Sequence, residues 1–528
     1  MLRLFVLSLH AFVLSLYACL ASATAPLQFQ PYALETQAHG THAAEIAWLD
    51  VPARYANANS ARLRLRIVRL LAPITASRAA RSDAPIVYLA GGPGGSGVGS
   101  ARGPRWPMFD RMRQHGDVLL LDQRGAGESS LPPECPHQAM SALGHAAKLA
   151  IQRQVAAQCV AFWRAQNIDL DAFNTEENAH DVNALRLALQ VPKLRLWAIS
   201  YGTHLATAVL RHHGEHIERV ILMGYEGPDD TLKLPLAADA LLSQIEAQAT
   251  TDPRVIQEFK PVVANLHALL AKLAQTPQRA RSLMTGKQVT IGPFEAQLGV
   301  VLMLTKSDTM RHVPLAIGLA LQGDAGLLSE YVQGYEQALT SFRAMPLAMD
   351  IASGVSAARS TQIAVQTPKS VLGGALNFPF PDIGTELGIT DLGAVFRTPL
   401  ITAVPTLFVT GSMDGRTPSA NMEAALPGFS MASQLRIDGA GHDNDLWLSH
   451  PEIADTLEAF MQGTWEGEKQ LQAPRLAFAT SMTSEAWGLL KQSIGIGGIA
   501  LILAGIAALP LGLFWWWRRR KARKLAKR

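Results

Sequence analysis

Three cysteines in 528 residues are too few for a disulfide-built scaffold. There is no Cys-x-x-Cys pair, and no cysteine–histidine ligand set stands out, so no metal site is expected. Charge is scarce too: Asp, Glu, Lys and Arg make up 17% of the chain against 48% hydrophobic residues. That balance excludes wholesale disorder and leaves ample apolar surface for a large core. The 42 glycines and 30 prolines follow no period, which excludes collagen-like and low-complexity chains, and no internal repeat is found. At about 150 residues per domain, the length points to more than one folding unit. The formal charge of +4 is an end effect. Residues 518–528 carry eight Lys or Arg, and without these and Arg3 the body holds 38 basic against 43 acidic residues. Nucleic-acid binding by the body is therefore disfavoured.

Both ends read as addresses. Residues 1–23 resemble a secretory signal, with Arg3, an apolar run over 4–20, and the small-residue site Ala21-Ser22-Ala23. Residues 494–517 contain no charged side chain. At about 1.5 Å per residue they give roughly 36 Å of helix, enough to cross a hydrocarbon layer of about 30 Å. Trp515, Trp516 and Trp517 then sit where an interfacial belt belongs, followed at once by the basic tail 518–528. Positive flanks remain cytoplasmic, so the body is expected on the extracytoplasmic side of a cell membrane, which it crosses once. An uncleaved N-terminal anchor and a cleaved C-terminal sorting tail are the alternatives. Without Cys19 of the signal, Cys135 and Cys159 remain, in a compartment that permits a disulfide between them.

Between the ends, the pattern alternates. A hairpin is expected over 45–51 and 63–70. Continuous apolar runs over 84–90 and 117–121 fit buried parallel strands. Asn174, with Glu177 three positions on, marks a helix start, and its helix runs to about Leu189. A strand (194–199), a helix (201–213) and a strand (217–223) follow. From 228 to 398 long amphipathic segments dominate and strand signals are sparse. After Pro399 the strand–helix rhythm returns over 406–410, 434–437 and 451–461. The reading is one α/β parallel sheet in two halves, 24–227 and 399–463, separated by a helical insertion and followed by a linker over 464–493.

Chemistry concentrates at strand ends. Ala198-Ile199-Ser200-Tyr201-Gly202 lies between a strand and a helix, and a serine on so tight a turn needs small neighbours two positions either side. Gly202 satisfies this, and Ala198 does so with one extra methyl. Gly91-Gly92-Pro93-Gly94-Gly95 follows another strand and lacks the Lys-Ser/Thr ending of a phosphate loop. Its N–H groups, with that of Tyr201, fit a developing oxyanion. Asp414 ends a late strand, and His442 sits in the glycine-flanked loop after the next. The order Ser, Asp, His at successive strand ends is that of a nucleophile, an orienting acid and a base.

These pieces resemble the α/β-hydrolase fold, and within it the proline iminopeptidase and tripeptidyl aminopeptidase group. The matching stretches are the glycine turn at Gly91, Asp122-Gln123-Arg124-Gly125-Ala126-Gly127-Glu128-Ser129, the Ser200 elbow, Asp414 with Thr417-Pro418, and Gly441-His442. Cys135 and Cys159 resemble the paired cysteines of secreted members. The resemblance implies a mostly parallel sheet flanked by helices, a helical lid over 228–398, and no cofactor. It also implies acyl transfer: Ser200 attacks a carbonyl, His442 moves the proton, Asp414 orients the imidazole, and Gly92 (or Gly91) and Tyr201 bind the oxyanion. Asp443 is a rival orienter, while His204, His212 and His213 are expected to be exposed or structural. Aminopeptidases of this group hold the substrate amine with carboxylates, for which Glu226 leads, with Glu295, Glu330 and Glu336 in the lid. An ester hydrolase with an apolar lid pocket, and a silent tethered binding protein, are the competing functions for a chain whose expected partners are a small peptide or ester and the bilayer.

Overall fold

The computed structural model describes residues 26–57, 59–73, 82–136, 142–282, 285–339, 342–384 and 386–481. The expected signal segment, membrane span and basic tail lie outside the described residues. Among the described residues no helix is long and apolar enough to cross a membrane.

The strands in chain order are β1 (Gln30–Thr36), β2 (Gly40–Pro52), β3 (Arg62–Leu70), β4 (Ile86–Leu89), β5 (Val118–Leu121), β6 (Leu194–Ile199), β7 (Ile217–Met223), β8 (Gln278–Arg281), β9 (Gln288–Ile291), β10 (Thr406–Gly411), β11 (Ala432–Asp438) and β12 (Glu468–Gln472). Ten of them form one sheet in the order β1-β2-β3-β5-β4-β6-β7-β10-β11-β12. β1, β2 and β3 pair antiparallel, β3 joins β5 antiparallel, and from β5 onward every pairing is parallel. The parallel strands need helical crossovers, so helices cover both faces, and β4, β5, β6 and β10 are buried at every position. Successive residues face opposite cores. Leu89, Leu121, Leu196 and Leu222 pack on one side; Tyr88, Leu120, Trp197 and Ile221 pack on the other.

The crossover helix Thr175–Ala188 begins where the sequence places it, with Asn174 accepting from the Glu177 N–H at 2.9 Å. Glu177 does not complete a reciprocal cap; its Oε2 accepts from the Tyr55 N–H at 2.8 Å and ties the helix to the segment after β2. The motif beginning at Asp122 is scaffolding. Asp122 accepts from Ser96 Oγ at 2.6 Å, Gln123 Nε2 donates to Ala90 O at 2.8 Å, and Arg124 forms a two-pronged buried ion pair with Asp181 at 2.7 Å in each arm. The first two bonds fix the flanks of the glycine turn, and the third ties the motif to the helix Thr175–Ala188.

The insertion between β7 and β10 is mainly helical and has its own core, which includes Leu242, Leu266, Val300 and Ile317. Three features depart from the sequence reading. The lid carries a two-stranded antiparallel hairpin, β8–β9, whose first strand, Gln-Arg-Ala-Arg, has almost no apolar signal. β1 adds an outer strand, exposed along most of its length. The stretch expected to begin a linker at Thr464 instead supplies β12, an edge strand parallel to β11 in which Leu471 alone is buried. Beyond it Leu476 and Phe478 enter the lid core, so the chain after the sheet straps lid to body. Arg475 donates to Thr251 Oγ1 at 2.6 Å and the Ala479 N–H to Arg311 O at 3.0 Å.

Cys135 and Cys159 are joined in a disulfide that fastens the helix His145–Ala165 to the segment after β5. Closing a loop with a sequence separation of 24 constrains the unfolded chain by about 3 kcal/mol. The Cys135→Ala/Cys159→Ala protein is expected to lose about that much stability in urea denaturation.

Candidate active site

β6 ends at Ile199, and the helix Tyr201–His213 begins two residues later. Ser200 makes the junction with φ 55° and ψ −129°, a conformation that costs a non-glycine residue energy and is retained where neighbours over-determine it. The neighbours are identifiable. The Ser200 N–H donates to Met223 O at 2.9 Å, and its carbonyl accepts from the Thr203 N–H and Thr203 Oγ1, both at 2.7 Å. A side chain at Gly202 would place its Cβ 2.1 Å from Leu89 O, so only glycine lets the helix approach β4. At the other flank the Ala198 methyl is fully buried in the sheet, and the departure from glycine there is accommodated.

His442 and Asp414 arrive from β11 and β10. Asp414 Oδ2 accepts from His442 Nδ1–H at 2.7 Å, which leaves Nε2 to accept from Ser200 Oγ at 3.0 Å. The three side chains thus form one hydrogen-bonded chain at the carboxyl ends of β6, β10 and β11. Asp414 is buried, and burial alone would raise its pKa. The His442 charge, the His442 bond and the bonds from Thr417 N–H and Thr417 Oγ1 outweigh it and hold the carboxyl below its ordinary value. The loop after His442 is also held by the lid: its N–H donates to Thr305 O at 3.1 Å. Asp443 is no orienter, because it faces away and pairs with Arg105.

The glycine turn passes directly beside the serine. A Cβ on Gly91 would stand 2.9 Å from Ser200 Cβ. Among the described residues neither the Gly92 nor the Tyr201 N–H is taken by a backbone acceptor.

Gly92 opens onto a cavity of about 540 Å³ roofed by the lid. Its wall mixes apolar groups, including Phe342, Phe378 and Phe380, with Glu226, Lys233, Asp350, Arg343 and Arg416. Glu226 lines this cavity, but Lys233 Nζ already lies 2.5 Å from its Oε2. Burial pushes the Glu226 carboxyl up; Lys233, then His204, pull it below its usual range. The other expected acids are elsewhere. Glu295 caps its own helix and accepts from the Gly144 N–H, Glu336 pairs with Lys148 at 2.5 Å, and Glu330 accepts from Ser282. Asp350 is the acid that sequence reasoning missed. Burial, then the neighbouring Glu226 charge, push its pKa up to about 7. Its signal was available: it is the single charged residue in the apolar helix Ala344–Ser353. His204 is buried and bonded to Gly227 O and Ser353 Oγ, while His212 and His213 lie at the far end of the same helix.

If the hydrogen-bonded chain drives turnover, Asp414→Asn is expected to keep the fold and lower kcat by about 10⁴, because the amide leaves the imidazole in the wrong tautomer.

Comparison with known proteins agrees with this architecture. A tripeptidyl aminopeptidase of Streptomyces lividans is 27% identical over 202 residues, which span 35% of this chain and 36% of that protein. A putative hydrolase of Escherichia coli, YuaR, is 24% identical over 185 residues, 35% of this chain and 36% of its own. The chain thus spans little more than a third of the length of these relatives. Among solved structures, the proline iminopeptidase of Mycobacterium smegmatis overlaps 79% of this chain and 98% of its own at 12% identity and TM-score 0.38. An esterase from Thermogutta terrifontis overlaps 82% and 99% at 15% identity and TM-score 0.34. The profile of the α/β hydrolase fold matches residues 84–447, from the strand before the glycine turn to just past His442. On that match, over most of its length, the chain belongs to the α/β hydrolase fold family.

Proposed function

We propose that the protein is a serine hydrolase that cleaves amide bonds near the amino terminus of peptides through an acyl-enzyme. Ser200 attacks the carbonyl while His442 Nε2 takes its proton; the imidazolium then protonates the departing amine. Asp414 holds the tautomer and stabilises the charged ring. The free N–H groups of Gly92 and Tyr201 receive the oxyanion, where loss of one donor costs about 10²–10³ in rate. Water, activated by the same histidine, releases the acyl group.

The observation that carries the peptidase reading is the acid-lined cavity next to the nucleophile. Asp350, whose carboxyl is not paired with a cation among the described residues, offers negative charge to a substrate ammonium, which an ester pocket does not require. An ester hydrolase remains the second reading, on the strength of the phenylalanines in the same wall. The Cys135–Cys159 disulfide supports a body outside the reducing cytoplasm, in keeping with a tether through residues 494–517.

Labelling by a fluorophosphonate probe is expected for the protein and not for Ser200→Ala. Peptide amides with a free amino terminus are expected to be cleaved faster than their acetylated counterparts; equal rates, or faster cleavage of matched esters, would favour the esterase. Asp350 also sets a pH signature. Below about pH 7 its carboxyl is protonated and neutral, while a peptide amine stays charged up to about pH 8. The ratio of kcat/KM for free over blocked substrates, in which His442 cancels, is expected to fall as pH drops through 7. Asp350→Asn should flatten that ratio.

A further inference from the structure

The cavity holds more positive charge than its acids answer. Lys233 is committed to Glu226. Arg416 and Arg343 line the same wall, and among the described residues neither forms a close ion pair, although the Arg416 charge helps to hold down the Glu226 and Asp350 carboxyls. Arg416 follows Asp414 by two residues, and its backbone N–H donates to Asp414 Oδ1 at 2.8 Å, which ties its backbone to the acid that bonds His442. Its guanidinium makes no side-chain hydrogen bond among the described residues. Arg343, at the exposed rim, touches the glycine turn through one bond, Nη1 to Gly94 O at 3.3 Å. Other buried or half-buried arginines are satisfied, either by a carboxylate, as Arg359 is by Asp230 at 2.7 Å, or by neutral oxygens, as Arg195 is by Ala84 O at 2.8 Å and Arg211 by Thr398 O at 2.5 Å. Two guanidiniums on one cavity wall, one with no side-chain hydrogen bond among the described residues and the other with a single long one, therefore stand apart.

We infer that Arg416 and Arg343 form an anion subsite, so that the preferred substrate carries a carboxylate in addition to its scissile carbonyl. The guanidinium suits such a subsite because its planar fork matches both carboxylate oxygens and it remains charged at every working pH. Asp350 takes the amine end, so the cavity suits a zwitterionic ligand. Short peptides provide the carboxylate in two ways, from a free carboxyl terminus or from an acidic side chain. The inference rests on the reading of this cavity as the place where Ser200 meets its substrate.

Calorimetric titration of the Ser200→Ala protein tests it without turnover. The ligands are Ala-Ala-Ala against its carboxy-terminal amide, and Ala-Glu-Ala-amide against Ala-Gln-Ala-amide, which separates the two sources. At least one carboxylate-bearing ligand is expected to bind about 10- to 100-fold more tightly than its neutral match. The added change Arg416→Gln or Arg343→Gln should collapse that ratio toward one, with Arg416→Lys restoring part of it. Thermal melting confirms folding, and if Arg416→Gln does not fold, the exposed Arg343→Gln carries the same readout. Ratios near one in the Ser200→Ala protein, ratios that survive both replacements, or no binding of any ligand would each overturn the subsite. The peptidase reading is judged separately, by turnover of the four ligands with Ser200 intact. Preserved ratios without turnover would condemn that reading and leave the subsite standing.

Discussion

One carbonyl oxygen constrains the whole site. Leu89 O, at the end of β4, lies where any side chain on residue 202 would have to go. Because Gly202 yields that space, the helix starting at Tyr201 can abut β4 and Ser200 is held at φ 55° on top of the turn. The same approach brings Gly91 against the Ser200 side chain and sets Gly92 at the cavity mouth. The positions of the proposed nucleophile, the proposed oxyanion donors and the cavity are thus consequences of a single packing contact between neighbouring parallel strands. The buried Asp122 and Gln123 bonds, to the Val98 N–H and Ala90 O, hold the backbone on both flanks of the glycine turn.

Around this centre the two halves of the sheet and the lid play different parts. The late strands β10 and β11 bring Asp414 and His442 together, and the His442 charge with the Thr417 bonds holds the Asp414 carboxyl below its ordinary value. The lid does more than cover them. It accepts the His442 N–H through Thr305 and contributes Asp350 and Arg343 to the wall. Since Leu476 and Phe478, just beyond β12, are buried in the lid core, the chain after the sheet also bears on how the lid sits.

Much of this is legible in the sequence. The β4, β5, β6 and β7 runs, the helix capped by Asn174, and the Ser200, Asp414 and His442 positions all carry strong local signals, because buried parallel strands are continuously apolar and tight turns demand small residues. The missed elements share a physical cause. β1, β8 and β12 are exposed edge or hairpin strands, stabilised by backbone pairing rather than burial, so their sequences carry little hydrophobic period. The lid acids Glu295, Glu330 and Glu336 looked equivalent to Asp350 as charges on helices; only packing distinguishes a capped or paired carboxylate from one facing a cavity.

The amino-acid order alone determined the fold family, the order of the chemical groups and the residues that bear them, because those depend on local patterns of burial and turn geometry. Tertiary structure decided which charges remain unanswered. Lys233 reaching Glu226, Arg105 taking Asp443, and Arg416 forming no close ion pair among the described residues are matters of a few ångströms between distant segments. No sequence period encodes such distances, because ion pairing depends on where side chains converge in space and not on where they stand along the chain.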